Sequence, residues 1–139
     1  MSDITKQPDF SGIRSFLRLP TSLKKNVTPD VAIVGVPFDL GTSNRPGARF
    51  GPSALREASM LYNFDWHPSF RINPADHLKM VDLGDLNLAL GYLEESLAMI
   101  EEQVDKIKSK QIVALGGDHT CTLPILRSLR KKYDKPGIC

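Results

Sequence analysis

A glycine pair followed by an acid and an imidazole, Gly116-Gly117-Asp118-His119, is the stretch of this sequence best suited to chemistry. It follows the apolar run Ile112-Val113-Ala114-Leu115 and leads into Thr120-Cys121-Thr122-Leu123-Pro124-Ile125-Leu126-Arg127. The pattern predicts a buried strand, a tight turn and a helix. Such a turn sets a carboxylate and an imidazole at the carboxyl end of a strand, the edge where open α/β sheets hold their ligands. Imidazole at that edge can be a metal donor, and it can equally cap or pack. Asp118 can accept a hydrogen bond from nearby backbone or orient a ligand from behind it. The glycines let the chain pass close to another group or adopt positive φ. One histidine does not make a metal centre: catalytic zinc takes about three protein ligands, and manganese or magnesium more oxygen donors. His67 is read on a loop and His77 at the amino end of a strand, so neither is placed to help.

Other chemistries have less support. Residues 35–52 lie between a strand and a helix, but Gly35, Gly41, Gly47 and Gly51 do not form GxGxxG and no Gly-Lys-Ser/Thr follows. Ser53, Ser59 and Cys121 lack a neighbouring base or a nucleophile elbow. Cys121 at a helix start could have a lowered pKa, although a buried thiol filling space is the commoner role. Two cysteines, Cys121 and Cys139, make neither a disulfide framework nor a CxxC site. A net charge of +2 over 139 residues gives no footprint for nucleic acid or membrane. The N-terminus has no apolar signal core, and no run approaches the roughly 20 apolar residues of a membrane span. A reduced, cytoplasmic protein is the expectation.

The elements that must position the turn follow from hydrophobic pattern. Phe10–Leu19 is a short amphipathic piece within an N-terminal arm, residues 1–29. Val31–Val36, between Pro29 and Pro37, predicts a buried parallel strand. Loop 37–52 leads into a helix over Ser53–Tyr62 whose inward face is Ala54, Leu55, Ala58 and Leu61. Leu78–Leu83 reads as a strand closed by Gly84-Asp85. Tyr92–Lys108 carries the clearest helical stripe: Leu93, Leu97, Ile100, Val104 and Ile107. Strand 111–115, the glycine turn and helix 120–132 form a third unit, and Pro136–Cys139 begins another apolar run. The basic cluster Arg127, Arg130, Lys131 and Lys132 suits a helix C-terminus, and Arg45 or Arg49 can pair with Asp39. Alternating strands and helices imply a doubly wound parallel sheet. With the first strand central, the third is a bare apolar edge, so the chain reads as the first part of a domain.

Three stretches together resemble agmatinase-type ureohydrolases of the arginase family: Gly35 through Arg56, Val81-Asp82-Leu83-Gly84-Asp85, and Gly116 through Arg127. The resemblance covers roughly residues 10–139. It implies an arginase-like three-layer α/β/α sandwich around a mostly parallel sheet, with residues 30–139 as its incomplete N-terminal part. It also implies a site of two manganese ions whose bridging water, made acidic by the metals, hydrolyses a guanidino compound to an amine and urea. On that resemblance His119 is a manganese ligand; Asp118 stays the supporting candidate that the motif itself suggests. Thr120 stands where many members have serine. The family's other ligands, in an Asp-Ala-His-x-Asp motif and an Asp-x-Asp pair, do not occur in this sequence, nor do its proton-shuttling histidine and guanidinium-binding glutamate. The expectation is therefore a segment of an agmatine- or guanidinobutyrate-type hydrolase. It would be inactive alone, and its complete form a homo-oligomer. The alternative is a non-catalytic partner that docks on a full-length subunit through its exposed sheet edge.

Overall fold

The computed structural model describes residues 11–61, 67 and 69–133. Three parallel strands, β1 (Val31–Val36), β2 (Met80–Asp85) and β3 (Gln111–Gly116), form a sheet in the order β2-β1-β3. Helices α1 (Gly51–Ser59), α2 (Pro74–His77), α3 (Leu93–Lys106) and α4 (Thr122–Lys132) connect and flank them. Every residue of β1 is buried, as its β-branched composition and central position require.

The pleat of β1 divides the core. Val36 joins Phe38, Leu97, Ile100, Val104 and Cys121 in a cluster under α3 and α4. Val31 and Ile33 point the other way, to Leu19, Leu115 and the half-buried Phe16, Leu17 and Met80. The result is three layers, with α3 and α4 on one face and α1 with the N-terminal arm on the other. The basic end of α4 does more than meet its own dipole. Lys131 pairs with Glu101 and Asp105 of α3 at 2.6 and 2.8 Å, and Lys132 Nζ donates to the carbonyls of Val104 and Ile107.

Several expectations are corrected. Helix α1 begins two residues earlier than its pattern suggests, with Pro52 in its first turn. Its presumed inward residues Ala54, Leu55, Ala58 and Leu61 face solvent, and Pro52, Arg56 and Ser59 are buried instead. Strand β2 starts at Met80 and includes Gly84-Asp85 rather than ending before them. His77 closes the short helix α2 instead of opening a strand. Strand β3 is not fully buried; Val113 is 44% exposed. The apolar run at 136–139 and the far end of the predicted first helix, Tyr62, lie outside the described residues.

The two sheet edges differ. The arm runs along β2, where the Asp82 N–H donates to the Pro20 carbonyl at 3.0 Å. The outer edge of β3 has no strand partner among the described residues.

Candidate functional site

The carboxyl ends of β1 and β3 meet at the glycine turn. Beyond β3 the Gly117 N–H donates to the Val36 carbonyl at 3.1 Å, and the Asp118 N–H donates to the Phe38 carbonyl at 2.8 Å. The chain after β3 is thus stitched onto the chain after β1. A Cβ on Gly117 would lie 2.0 Å from Phe38 O and 2.8 Å from both Phe38 N and Val36 O. Glycine is required there for close approach of two backbones.

Asp118 is the brace of this turn. Its Oδ1 accepts from the Thr120 N–H at 2.8 Å, capping the 3₁₀ turn His119–Cys121 that precedes α4. Its Oδ2 accepts from the Gly41 N–H at 2.7 Å, tying loop 37–52 to the same turn. His119 opens the 3₁₀ turn and is exposed, on the rim of a broad open groove between β3 and α4 that Ile112, Ala114, Ile125 and Leu129 also line. No hydrogen bond or ion pair engages its imidazole among the described residues.

Each Asp118 oxygen already accepts one backbone N–H, whereas nothing among the described residues engages the His119 imidazole. Among the described residues no three His, Cys, Asp or Glu side chains converge to hold an ion. The donor set present therefore does not fit a two-metal centre. Cys121 is buried, and its Sγ–H donates to the Asp118 carbonyl at 3.0 Å. Burial first, and the nearby Asp118 charge second, push its thiol up, the opposite of an activated nucleophile.

Loop 37–52 is held by Asp39. This buried carboxylate accepts from the Gly47 N–H at 2.8 Å, from Arg49 Nε at 2.8 Å and from Arg49 Nη2 at 2.5 Å. Arg49 makes the pair, and Arg45 is exposed. The Arg49 hydrogen bond is the main reason that the Asp39 carboxyl is lowered to about 2, with the Gly47 N–H helping against burial. Folded Asp39 thus holds its proton less tightly than the unfolded chain does. Its contribution is complete above pH ~4 and lost as pH falls toward 2. Asp39→Asn should flatten the loss of stability across that window, measured as the urea midpoint against pH.

A second cluster is not evident from local sequence pattern. Arg56 of α1 reaches β2 with its whole fork. Nε and Nη2 donate to Asp82 Oδ2 and Oδ1 at 2.8 and 2.9 Å, and Nη1 donates to Asp85 at 2.5 Å. Asp82 also accepts the Phe16 N–H at 2.7 Å and the Gly84 N–H at 3.0 Å. Burial alone would raise the Asp82 pKa; the donors, Arg56 foremost, outweigh it and hold the carboxyl below its usual range. In a regular strand residues 82 and 85 face opposite ways. Here the register with β1 slips from Ile33↔Asp82 to Gly35↔Asp85, an extra residue absorbed at Gly84 with φ +79°. This bulge turns both carboxylates toward α1. The signal was present as Asp-Leu-Gly-Asp opposite an arginine on an otherwise weakly apolar helix. Beside it, the Leu17 N–H donates to Ser59 Oγ at 2.8 Å, docking the arm at Leu17 and Arg18, whose φ values are 50° and 57°.

Comparison with known proteins fits this architecture. The arginase family pattern matches residues 29–138. The chain is 43% identical over 129 residues to the mitochondrial guanidino acid hydrolase of Homo sapiens, covering 91% of this chain and 36% of that protein. It is 40% identical over 137 residues to the guanidinobutyrase of Pseudomonas aeruginosa, covering 96% of this chain and 43% of that protein. Among solved structures, proclavaminate amidino hydrolase from Streptomyces clavuligerus superposes with a TM-score of 0.83 at 31% identity, over 91% of this chain and 42% of that one. A Trypanosoma cruzi formiminoglutamase variant with two Mn²⁺ superposes with a TM-score of 0.69 at 26% identity, over 81% of this chain and 39% of its own. The chain thus spans about two fifths of the length of these relatives.

Proposed function

Since the chain belongs to the arginase family, we propose that it is the N-terminal segment of a manganese-dependent ureohydrolase acting on a linear guanidino compound of the agmatine or guanidinobutyrate type. The observation that carries this is the turn itself: an imidazole at a strand's carboxyl end, unengaged among the described residues, beside a carboxylate whose two oxygens hold backbone on either side. Relatives named guanidino acid hydrolase and guanidinobutyrase support the substrate class, and a structural neighbour that holds Mn²⁺ supports manganese. On this reading residues 1–29 are an arm and residues 30–139 the first part of the catalytic domain, in a cytoplasmic enzyme that assembles as a homo-oligomer. His119 is a manganese ligand and Asp118 sets its backbone. When bound, two manganese ions would supply an acidic bridging water.

On this reading the segment supplies only His119 to that centre, so alone it should release no urea. Incubation of the purified 139-residue chain with Mn²⁺ and agmatine or 4-guanidinobutyrate checks this, and metal-dependent urea above a no-protein control would refute it.

The exposed β3 edge favours a second reading, a non-catalytic chain that docks on a full-length subunit by lending that edge to a strand. An in-frame Asp-Ala-His-x-Asp directly after codon 139 would decide for the first reading, and a stop codon for the second. Val113→Lys puts a charge on the edge, so under the second reading it should abolish co-purification with the full-length subunit.

A further inference from the structure

We infer that the Asp39–Arg49 pair is a positioning device for His119, acting through Gly41 and Asp118. The inference deepens the proposed function, since it gives loop 37–52 a task toward the residue assigned there as a ligand. The path is short and continuous. Asp39 is buried, and its carboxylate is pinned from two sides by Arg49 and the Gly47 N–H. Its carbonyl in turn accepts the Thr42 hydroxyl at 2.9 Å, so the backbone is fixed on both sides of residue 41. Only Leu40 separates Asp39 from Gly41, whose N–H meets Asp118 Oδ2 at 2.7 Å. The other oxygen of Asp118 caps the turn that His119 begins.

The fit of loop to turn is tight as well as bonded. A Cβ on Gly41 would lie 2.0 Å from Thr120 Oγ1 and 3.1 Å from Asp118 Oδ2. Gly41 carries no positive φ, so contact with the turn is what calls for glycine here. The Asp118 N–H on the Phe38 carbonyl adds a second tie from the same stretch of loop. A pair that served the loop alone would not need its neighbour two residues away to hold the carboxylate next to His119. Arg suits the role because its planar fork fixes direction as well as charge.

The test uses amide NMR of the 139-residue chain, free of metal. In Arg49→Met the amides of Gly41 and of residues 117–121 should shift, and the Gly41 N–H should lose about tenfold or more of its protection against hydrogen exchange. Arg49→Lys should recover part of this, because it restores charge without the fork. Arg45→Met, with the same charge change on the same loop, should leave residues 117–121 in place. A merely local role confines the Arg49→Met changes to residues 38–49, and that outcome overturns the inference. Should Arg49→Met fail to fold, Asp39→Asn supplies the same test, because it keeps the side chain's shape and removes the charge that Arg49 grips. Asp39→Asn should shift the amides of Gly41 and residues 117–121, and shifts confined to residues 38–49 would overturn the inference.

In the complete enzyme Arg49→Met should weaken Mn²⁺ binding by about 10- to 100-fold, the range for residues that orient ligands, and lower kcat more than it changes KM. If His119→Ala leaves the metal content of that enzyme unchanged, the ligand reading fails, while the amide shifts still decide the positioning role.

Discussion

Arg56→Met should cost the fold about 3–5 kcal/mol, the range for removing one partner of a buried ion pair. Its side chain is 9% exposed and that of Asp82 only 2%, so solvent cannot replace the lost donors. Methionine fills a similar volume and keeps the aliphatic stem, so the loss isolates the charge and its hydrogen bonds. Asp82 would retain the Phe16 and Gly84 N–H groups, which cannot balance a full charge in that setting. The destabilisation should shrink as pH falls into the ordinary carboxylate range, because without Arg56 burial pushes the Asp82 carboxyl up and it takes up a proton early. Asp85→Asn should cost far less, because that side chain is 41% exposed and meets one nitrogen of the fork. Leu55→Ala, on the face that helical pattern alone would bury, should cost little, since Leu55 is 45% exposed. Urea titrations of the chain, or of the chain completed by the remainder of a relative, give the ranking Arg56→Met, then Asp85→Asn and Leu55→Ala. A large Leu55 effect with a small Arg56 effect would mean that α1 is rotated from the orientation described.

Gly117→Ala should be comparably damaging, at about 3 kcal/mol or more, the upper part of the range for overpacking. The added methyl meets Phe38 and Val36 backbone atoms at 2.0–2.8 Å, and backbone cannot swing aside as a side-chain tip can. Relief requires parting the strand ends, which breaks the Gly117 and Asp118 N–H bonds to Val36 and Phe38. That movement would also carry His119 away. Gly116→Ala is the matched control: its Cβ would meet only Cys121 Sγ at 3.6 Å, an ordinary contact. Gly116→Ala should stay within roughly 1 kcal/mol of the parent, and equal effects from the two variants would contradict the close-approach argument.

These two cases show what was legible in the sequence. The central strand Val31–Val36 was readable to the residue because a β-branched run between prolines has few alternatives. The stripe of α3 is legible at Leu97, Ile100 and Val104, which are apolar and buried together, whereas Leu93 is 40% exposed and Ile107 lies just past the helix. The glycine turn was placed correctly at the end of β3 from its position after an apolar run. Helix α1 was misoriented because its apolar and buried faces differ. Burial there is decided by Asp82 and Asp85, 26 and 29 residues away, whose shared direction depends on a bulge that local periodicity does not encode. The exposure of β3 depends on what lies beyond the sheet edge, which a run such as Ile112-Val113-Ala114-Leu115 does not state. The brace from Gly41 to Asp118 spans 77 residues and was equally out of reach of pattern.

Urea release by a chimera tests the assignment of His119 to a manganese ureohydrolase. Residues 1–139 would be joined to the complementary C-terminal part of the Pseudomonas aeruginosa guanidinobutyrase, to which the chain is 40% identical. The chimera should release urea from 4-guanidinobutyrate in a Mn²⁺-dependent way, His119→Ala should abolish this, and the 139-residue chain alone should release none. Urea release that survives His119→Ala, or that the chain produces unaided, would contradict that assignment.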